Sequence, residues 1–220
     1  MCKLKRGLVV SLPETEACSL SVQTLLHFAK SACEGGAVAL TVEGAESVKI
    51  VKSRVLLPVI GYIKSGYRDN FSPITRNLSE AATLIEAGAD VVLIDSFSGL
   101  SAGGTDIPGL IKYVKTASRA ETAVLCRSKK DAALAVYSGA DYLFAVHALG
   151  EKATTADNLC FFRSLTALFP DSAVIACLSV WNTDALKAVC ATGVYSVATG
   201  SAIVRPELIT QRFCKELKLC

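Results

Sequence analysis

Apolar residues in this chain gather in short runs, and four of the runs share one cadence: CEGGAVALTV from Cys33, EAGADVVLID from Glu86, YSGADYLFAV from Tyr137 and ATGVYSVATG from Ala191. Each reads as a helix C-terminus, a glycine stop and then an apolar strand. Gly35, Gly88, Gly139 and Gly193 are separated by 53, 51 and 54 residues, so one period recurs. Between these strands lie four more apolar segments, Leu8–Leu12, Pro58–Ile63, Ala123–Cys126 and Ala173–Ala176. Helix-like segments such as Ser21–Cys33, Ser79–Glu86, Lys129–Tyr137 and Asp184–Cys190 alternate with them. Alternation of this kind predicts a parallel sheet with right-handed crossovers, and eight strands close naturally into a (β/α)8 barrel formed as one domain over residues 1–220. An open doubly wound sheet is the alternative. It would carry a glycine-rich turn after its first strand, where this chain has Ser11-Leu12-Pro13-Glu14.

Composition narrows the partners. Hydrophobic residues make up 51% of the chain and aromatics 7%, a balance of small and β-branched residues suited to packing between parallel strands and helices. The net charge is +3, from 23 basic and 20 acidic residues, without a basic run to follow a nucleic-acid backbone. The apolar runs are strand-sized, well short of the roughly 20 residues of a membrane span. The apolar stretch in MCKLKRGLVV is too short for a signal-peptide core, so a cytoplasmic protein is expected. Nine cysteines without a CxxC spacing are expected to be reduced and buried as small hydrophobes.

In such a barrel, chemistry sits where strands end and βα loops begin. The positions of interest are Ser11 to Pro13, Thr41, Lys64, Asp95, Cys126, Ala145 to His147, Cys177 to Ser179 and Gly200 to Arg205. Lys64 closes the run VIGYIK and is placed to act as a base or a Schiff-base amine, or else to snorkel to solvent. Asp95 closes DVVLID as a candidate acid, base or partner of the lysine, or as a loop cap. The run Val194–Pro206 breaks at Gly200-Ser201 and restarts as a helix opened by Arg205-Pro206, a construction suited to holding a phosphate. His27 reads as a packing or interface residue of the first helix, and His147 as a residue at the functional face. The glycine-rich segment 96–108 reads as a lid or as a solvated loop.

Taken together, GLVVS, EGGAVAL, LPVIGYIKSGY, ITRNLSEAATLIEAGADVVLID and GSAIVRPELITQRF resemble one family, the N-acylglucosamine-6-phosphate 2-epimerases, also called N-acetylmannosamine-6-phosphate 2-epimerases. The resemblance covers nearly the whole chain. It implies a single (β/α)8 barrel of the ribulose-phosphate-binding type that interconverts the C2 epimers of a 6-phosphorylated N-acetylhexosamine in sialic acid catabolism. It also implies no metal or organic cofactor, and a homodimer supported by the helix 206–219. By resemblance Lys64 exchanges the C2 proton, Tyr67 matches a tyrosine just after it, Arg205 contacts substrate, and the Gly200-Ser201 backbone takes the phosphate. The chain departs from the family pattern in several places. Pro13 stands where a glutamine is usual and Thr41 where an arginine ends the second strand. Cys126 stands at the fifth-strand aspartate, and Cys177-Leu178-Ser179 replaces the seventh-strand glutamate and glycine. These departures imply a divergent member whose activity is weakened, retargeted or lost, or a non-catalytic phosphosugar-binding or oligomer-partner protein.

Overall fold

The computed structural model describes residues 4–13, 21–64, 74–96, 104–146 and 155–217. Eight strands run β1 (Leu8–Ser11), β2 (Ala39–Glu43), β3 (Val59–Tyr62), β4 (Val91–Asp95), β5 (Glu121–Cys126), β6 (Tyr142–Ala145), β7 (Ala173–Cys177) and β8 (Ser196–Thr199). They close in chain order into a barrel, every pair parallel, with β8 returning to β1 through Val9↔Ala198. The helices are α1 (Val22–Glu34), α2 (Ala45–Lys52), α3 (Leu78–Glu86), α4 (Ile107–Ala117), α5 (Lys129–Tyr137), α6 (Thr155–Leu168), α7 (Thr183–Cys190), α8 (Ser201–Val204) and α9 (Pro206–Leu217). The (β/α)8 barrel expected from the cadence is therefore the observed fold.

Local chemistry explains the boundaries. Ser21, Asn77, Asp106, Ser128 and Asn182 each stand at a helix N-cap and accept a first-turn amide, and Ser128 with Asp131 forms a full capping box. At the other ends, Ala37, Ala89 and Ala140 donate to the carbonyls of Ala32, Leu84 and Ala135 at 3.0–3.1 Å, closing each helix through a left-handed glycine. In the first repeat that glycine is Gly36, with φ +88°, rather than Gly35, which caps α1 in a right-handed conformation. Helices α2, α4 and α6 are left unmarked by the hydrophobic pattern. The first of these has eight residues and begins at Gly44 without a side-chain cap. The second begins inside the segment expected to be a loop, because Asp106 caps it and Pro108 sits in its first turn.

Period-two pleating sorts the strand residues into two layers. Val10, Leu40, Val42, Val92, Ile94, Val124 and Val197 point outward to the helices, whereas Val9, Ala39, Ile60, Val91, Leu93, Ala123, Phe144 and Ile175 fill the barrel interior. Below them Leu4 plugs the floor at 1% exposure. Its amide donates to the Tyr142 hydroxyl at 3.1 Å, its carbonyl accepts from the Tyr195 hydroxyl at 2.9 Å, and Tyr142 donates onward to Glu121 at 2.8 Å.

One expectation is corrected here. Cys33, Cys160, Cys190 and Cys214 are exposed, because each lies on the solvent side of a helix, so the thiols are not uniformly buried. The helix expected to open at Arg205-Pro206 is α9, and the short helix α8 precedes it directly after Gly200. Among the described residues no helix is long and apolar enough to cross a membrane.

Tyr142→Phe should destabilise the barrel by about 1–3 kcal/mol, since it strands the buried Leu4 amide and a Glu121 oxygen. Urea unfolding should show a lower midpoint with an unchanged slope, and an unchanged midpoint would mean that the floor plug contributes nothing.

Candidate active site

At the C-terminal mouth the pleat decides which side chains face the opening. On β2, Ala39 is interior and Val42 exterior, so Thr41 and Glu43 face inward. Thr41, expected at the strand end, lies one layer down and is buried, while the strand continues to Glu43. On β3, Ile60 and Tyr62 face inward and Ile63 packs outward, which turns Lys64 toward the mouth. On β4, Leu93 is interior and Ile94 exterior, so Asp95 faces in. On β5, Cys126 belongs to the outer layer, bonded through its thiol to the Val124 carbonyl at 3.2 Å. Burial, then Asp131, pushes that thiol far up from its ordinary range. Cys126 therefore faces the helices and not the barrel interior. The inward residue at this strand end is Arg127, which sequence reasoning missed by one position; the alternation itself was the available signal.

Arg127 and Asp95 form the best-defined contact of the mouth. The guanidinium donates to Oδ1 at 2.7 Å and Oδ2 at 3.1 Å of a carboxylate with no exposed surface, while 25% of the arginine side chain remains accessible. Such a fork fixes the plane of the guanidinium. Asp95 Oδ2 also accepts the Ile74 amide at 3.2 Å, and the Asp95 amide donates to the Ile74 carbonyl at 3.0 Å. Ile74 bridges in turn to Lys64 in an antiparallel pairing, so its peptide lies between the ends of β3 and β4. The next residue, Thr75, is buried at φ +43° and is held by its amide to the Ile63 carbonyl and by its hydroxyl to the Ile63 amide.

Across the barrel, β7 delivers Cys177 to the inner face and Leu178 to the outer layer. Burial pushes the Cys177 thiol up to about 12, so it stays neutral near pH 7. Beside it, β8 is followed by Gly200, the N-cap of α8, whose carbonyl accepts the Ile203 and Val204 amides at 2.8 and 2.9 Å, so the helix opens with the Ser201 and Ala202 amides. A Cβ at Gly200 would lie 2.5 Å from the Ser11 carbonyl oxygen, so glycine is required there by the close approach of β1. Arg205 caps the end of α8 and is engaged by Glu207, which it holds below the usual carboxylate range. Pro13 follows Leu12, whose amide donates to the Thr41 carbonyl at 3.0 Å, and is buried at the end of β1. His27 is exposed on α1, at 6.5 Å from the Phe28 ring between centroids. Tyr67, His147 and most of the 96–108 segment lie outside the described residues. Among the described residues no cluster of histidine, cysteine and carboxylate side chains is arranged to hold a metal ion.

Residues 25–219 match the family model NanE, "Putative N-acetylmannosamine-6-phosphate epimerase". The chain belongs to this family. A relative from Clostridioides difficile, named as a putative N-acetylmannosamine-6-phosphate 2-epimerase, is 32% identical over 99% of this chain and 98% of its own length. One of the same name from Staphylococcus carnosus is 31% identical over 98% of each. The solved N-acetylmannosamine-6-phosphate 2-epimerase from Clostridium perfringens shares the fold with a TM-score of 0.79 at 21% identity, covering 94% of this chain and 92% of that one. A thiamine phosphate pyrophosphorylase from Pyrococcus furiosus has the same barrel at a TM-score of 0.61 and 20% identity, over 91% and 87% of the two chains. Within the NanE family, then, this member brings an amine, a guanidinium and two carboxylates to one half of its mouth and a glycine–serine helix start to the other.

Because burial favours the neutral thiol, Cys177 should resist alkylation at pH 8 while Cys33, Cys160, Cys190 and Cys214 label, as read by peptide mass spectrometry. The sign follows for stability: the unfolded thiol ionises near 9.0, the folded one near 12, so Cys177 favours the folded state below about pH 9 and this contribution is lost as pH rises toward 12.

Proposed function

We propose that this NanE-family chain is a 2-epimerase of a 6-phosphorylated N-acylhexosamine, acting as a cytoplasmic enzyme with Lys64 at the reacting carbon. The supporting observation is the placement of Lys64: an amine turned into the barrel mouth at the end of β3, across from the Gly200-Ser201 helix start. In the open-chain sugar the C2 proton is acidified by the neighbouring carbonyl, and a positioned amine is suited to exchanging it. The phosphate goes to the amides that open α8, with Arg205 moving from Glu207 to the ligand. Asp95 acts through Arg127, to which it is bound, and not as the proton-transfer group.

A second reading is favoured by one specific feature. Cys177 is neutral where the family resemblance calls for a glutamate, and loss of a positioned acid–base group lowers rate by about 10²–10⁴. On that reading the barrel binds a phosphosugar without turning it over. Supplying N-acetylmannosamine 6-phosphate in D₂O should give C2 deuterium incorporation with inversion to the other epimer, and Lys64→Ala should abolish the inversion. A thermal shift with the sugar phosphate but no incorporation would favour the binding reading instead.

We further propose a homodimer. Helix α9 buries none of its residues, and Phe213 and Leu217 are 70% and 75% exposed. Cavities of about 240 Å³, at the N-terminal ends of β1 and β8 against α7, and about 180 Å³, between β1, α1 and α8, open on the outer face of β1 and β8, lined by Leu8, Val10, Val197, Leu186 and Ile203. The apolar side of α9 from a second copy is the occupant that matches this face, and Arg212, 4.4 Å over the Trp181 ring, ties the middle of the helix to the loop after β7. Light scattering should report a dimer, and Phe213→Asp combined with Leu217→Asp should shift it to monomer; an unchanged mass would remove α9 from the interface.

A further inference from the structure

The charges of the mouth alternate around half the barrel. Glu43 on β2, Lys64 after β3, Asp95 on β4 and Arg127 after β5 all face inward, while Ser11, Val146, Cys177 and Gly200 leave the other half neutral. Among the described residues, the strand-borne carboxylates facing inward at the C-terminal ends are Glu43 and Asp95. Asp95 is committed: it has no exposed surface and takes two bonds from Arg127 and one from the Ile74 amide. Glu43 is half-buried, on the rim. It is registered against Tyr62, and the Gly44 amide that follows it donates to the Tyr62 carbonyl at 2.8 Å. Lys64 is the next inward residue beyond Tyr62 on the neighbouring strand. Diagonal neighbours of this kind have Cα atoms about 7–8 Å apart, a separation that two long side chains span with a substrate carbon between them.

We infer that Glu43 is a catalytic residue, the carboxylate that works with Lys64 on the opposite face of the epimerised carbon. The inference rests on the epimerase reading above. The Glu43 carboxylate takes the C2 proton as the C–H bond breaks, and that electron pair moves to the carbonyl oxygen as an enolate. The Lys64 ammonium then delivers a proton to the other face, the enolate pair re-forms the C–H bond and the carbonyl, and the amine is left neutral. Transfer of the proton from the Glu43 carboxylic acid to the amine restores the starting state, and the reverse epimerisation runs the same steps backward. Epimerisation then needs no acid–base group on β7, where the buried thiol of Cys177 cannot supply one near pH 7.

The test follows deuterium at C2 separately for the two epimers of the N-acetylhexosamine 6-phosphate, with circular dichroism to check the fold. Glu43→Gln should lower the rate of inversion by at least about 10²-fold while retaining wash-in from D₂O with only one of the two epimers. Lys64→Ala should retain it with the other epimer only. A Glu43→Gln protein that inverts and exchanges both epimers within about threefold of wild type overturns the role of Glu43 alone. A folded variant silent with both epimers overturns the two-face scheme. Should the amide fail to fold, Glu43→Asp, which retracts the carboxylate by one methylene, should slow inversion more than exchange, and equal slowing counts against the inference. Wild-type protein without exchange overturns the epimerase reading itself, and this role with it.

Discussion

Closure of eight parallel strands imposes a binary decision on every strand residue: into the barrel or out to the helices. A side chain cannot evade it, because a one-residue slip would exchange the whole set of Val9, Ile60, Leu93 and Phe144 for the outer set of Val10, Val42, Ile94 and Val124. The same alternation carries past the buried layers to the mouth. It assigns Asp95 and Arg127 to the opening and removes Cys126 from it, although Cys126 and Arg127 are adjacent in the chain.

That assignment shapes the electrostatics of the site. A polar group as fully covered as the Asp95 carboxyl would be costly without partners, and the Arg127 fork together with the Ile74 amide compensates for it. The guanidinium gains a fixed plane at the rim in return. Glu43 stands at the rim on β2, with Lys64 between the two carboxylates. A neutral thiol on β7 and a glycine–serine helix start after β8 complete the ring, so the charged side chains and the helix start occupy opposite halves.

The seam between β8 and β1 is the tightest point of the mouth. Gly200 lies so close to the Ser11 carbonyl that even a methyl group has no room, and the turn that begins there leads into α8, held to the wall by the buried Val204, and then into α9. Other barrel helices bury an apolar face against the sheet, whereas no residue of α9 is fully buried. The outer face of β1 and β8 is left with open cavities as a consequence.

The spaced glycines, the apolar strands and the helix-like segments between them are local signals, each expressed within a few residues, and they made the (β/α)8 architecture legible from the chain alone. So was the family, through motifs such as GYIKSGY and GSAIVRP. The wall of the site was not. Where β2 ends, and whether position 126 or 127 faces inward, depend on hydrogen bonds to neighbouring strands and on a register shared around the barrel. Thr41 and Cys126 therefore read as site residues in sequence, while Glu43 and Arg127 did not. The role of Asp95 shows the same limit. Its position at a strand end is a property of the chain, but its commitment to Arg127 arises only once β4 and β5 lie side by side. Sequence by itself determined the repeating unit and the residue types at hand; tertiary structure decided which of them meet, because a contact across the barrel mouth is a property of closure and not of any segment.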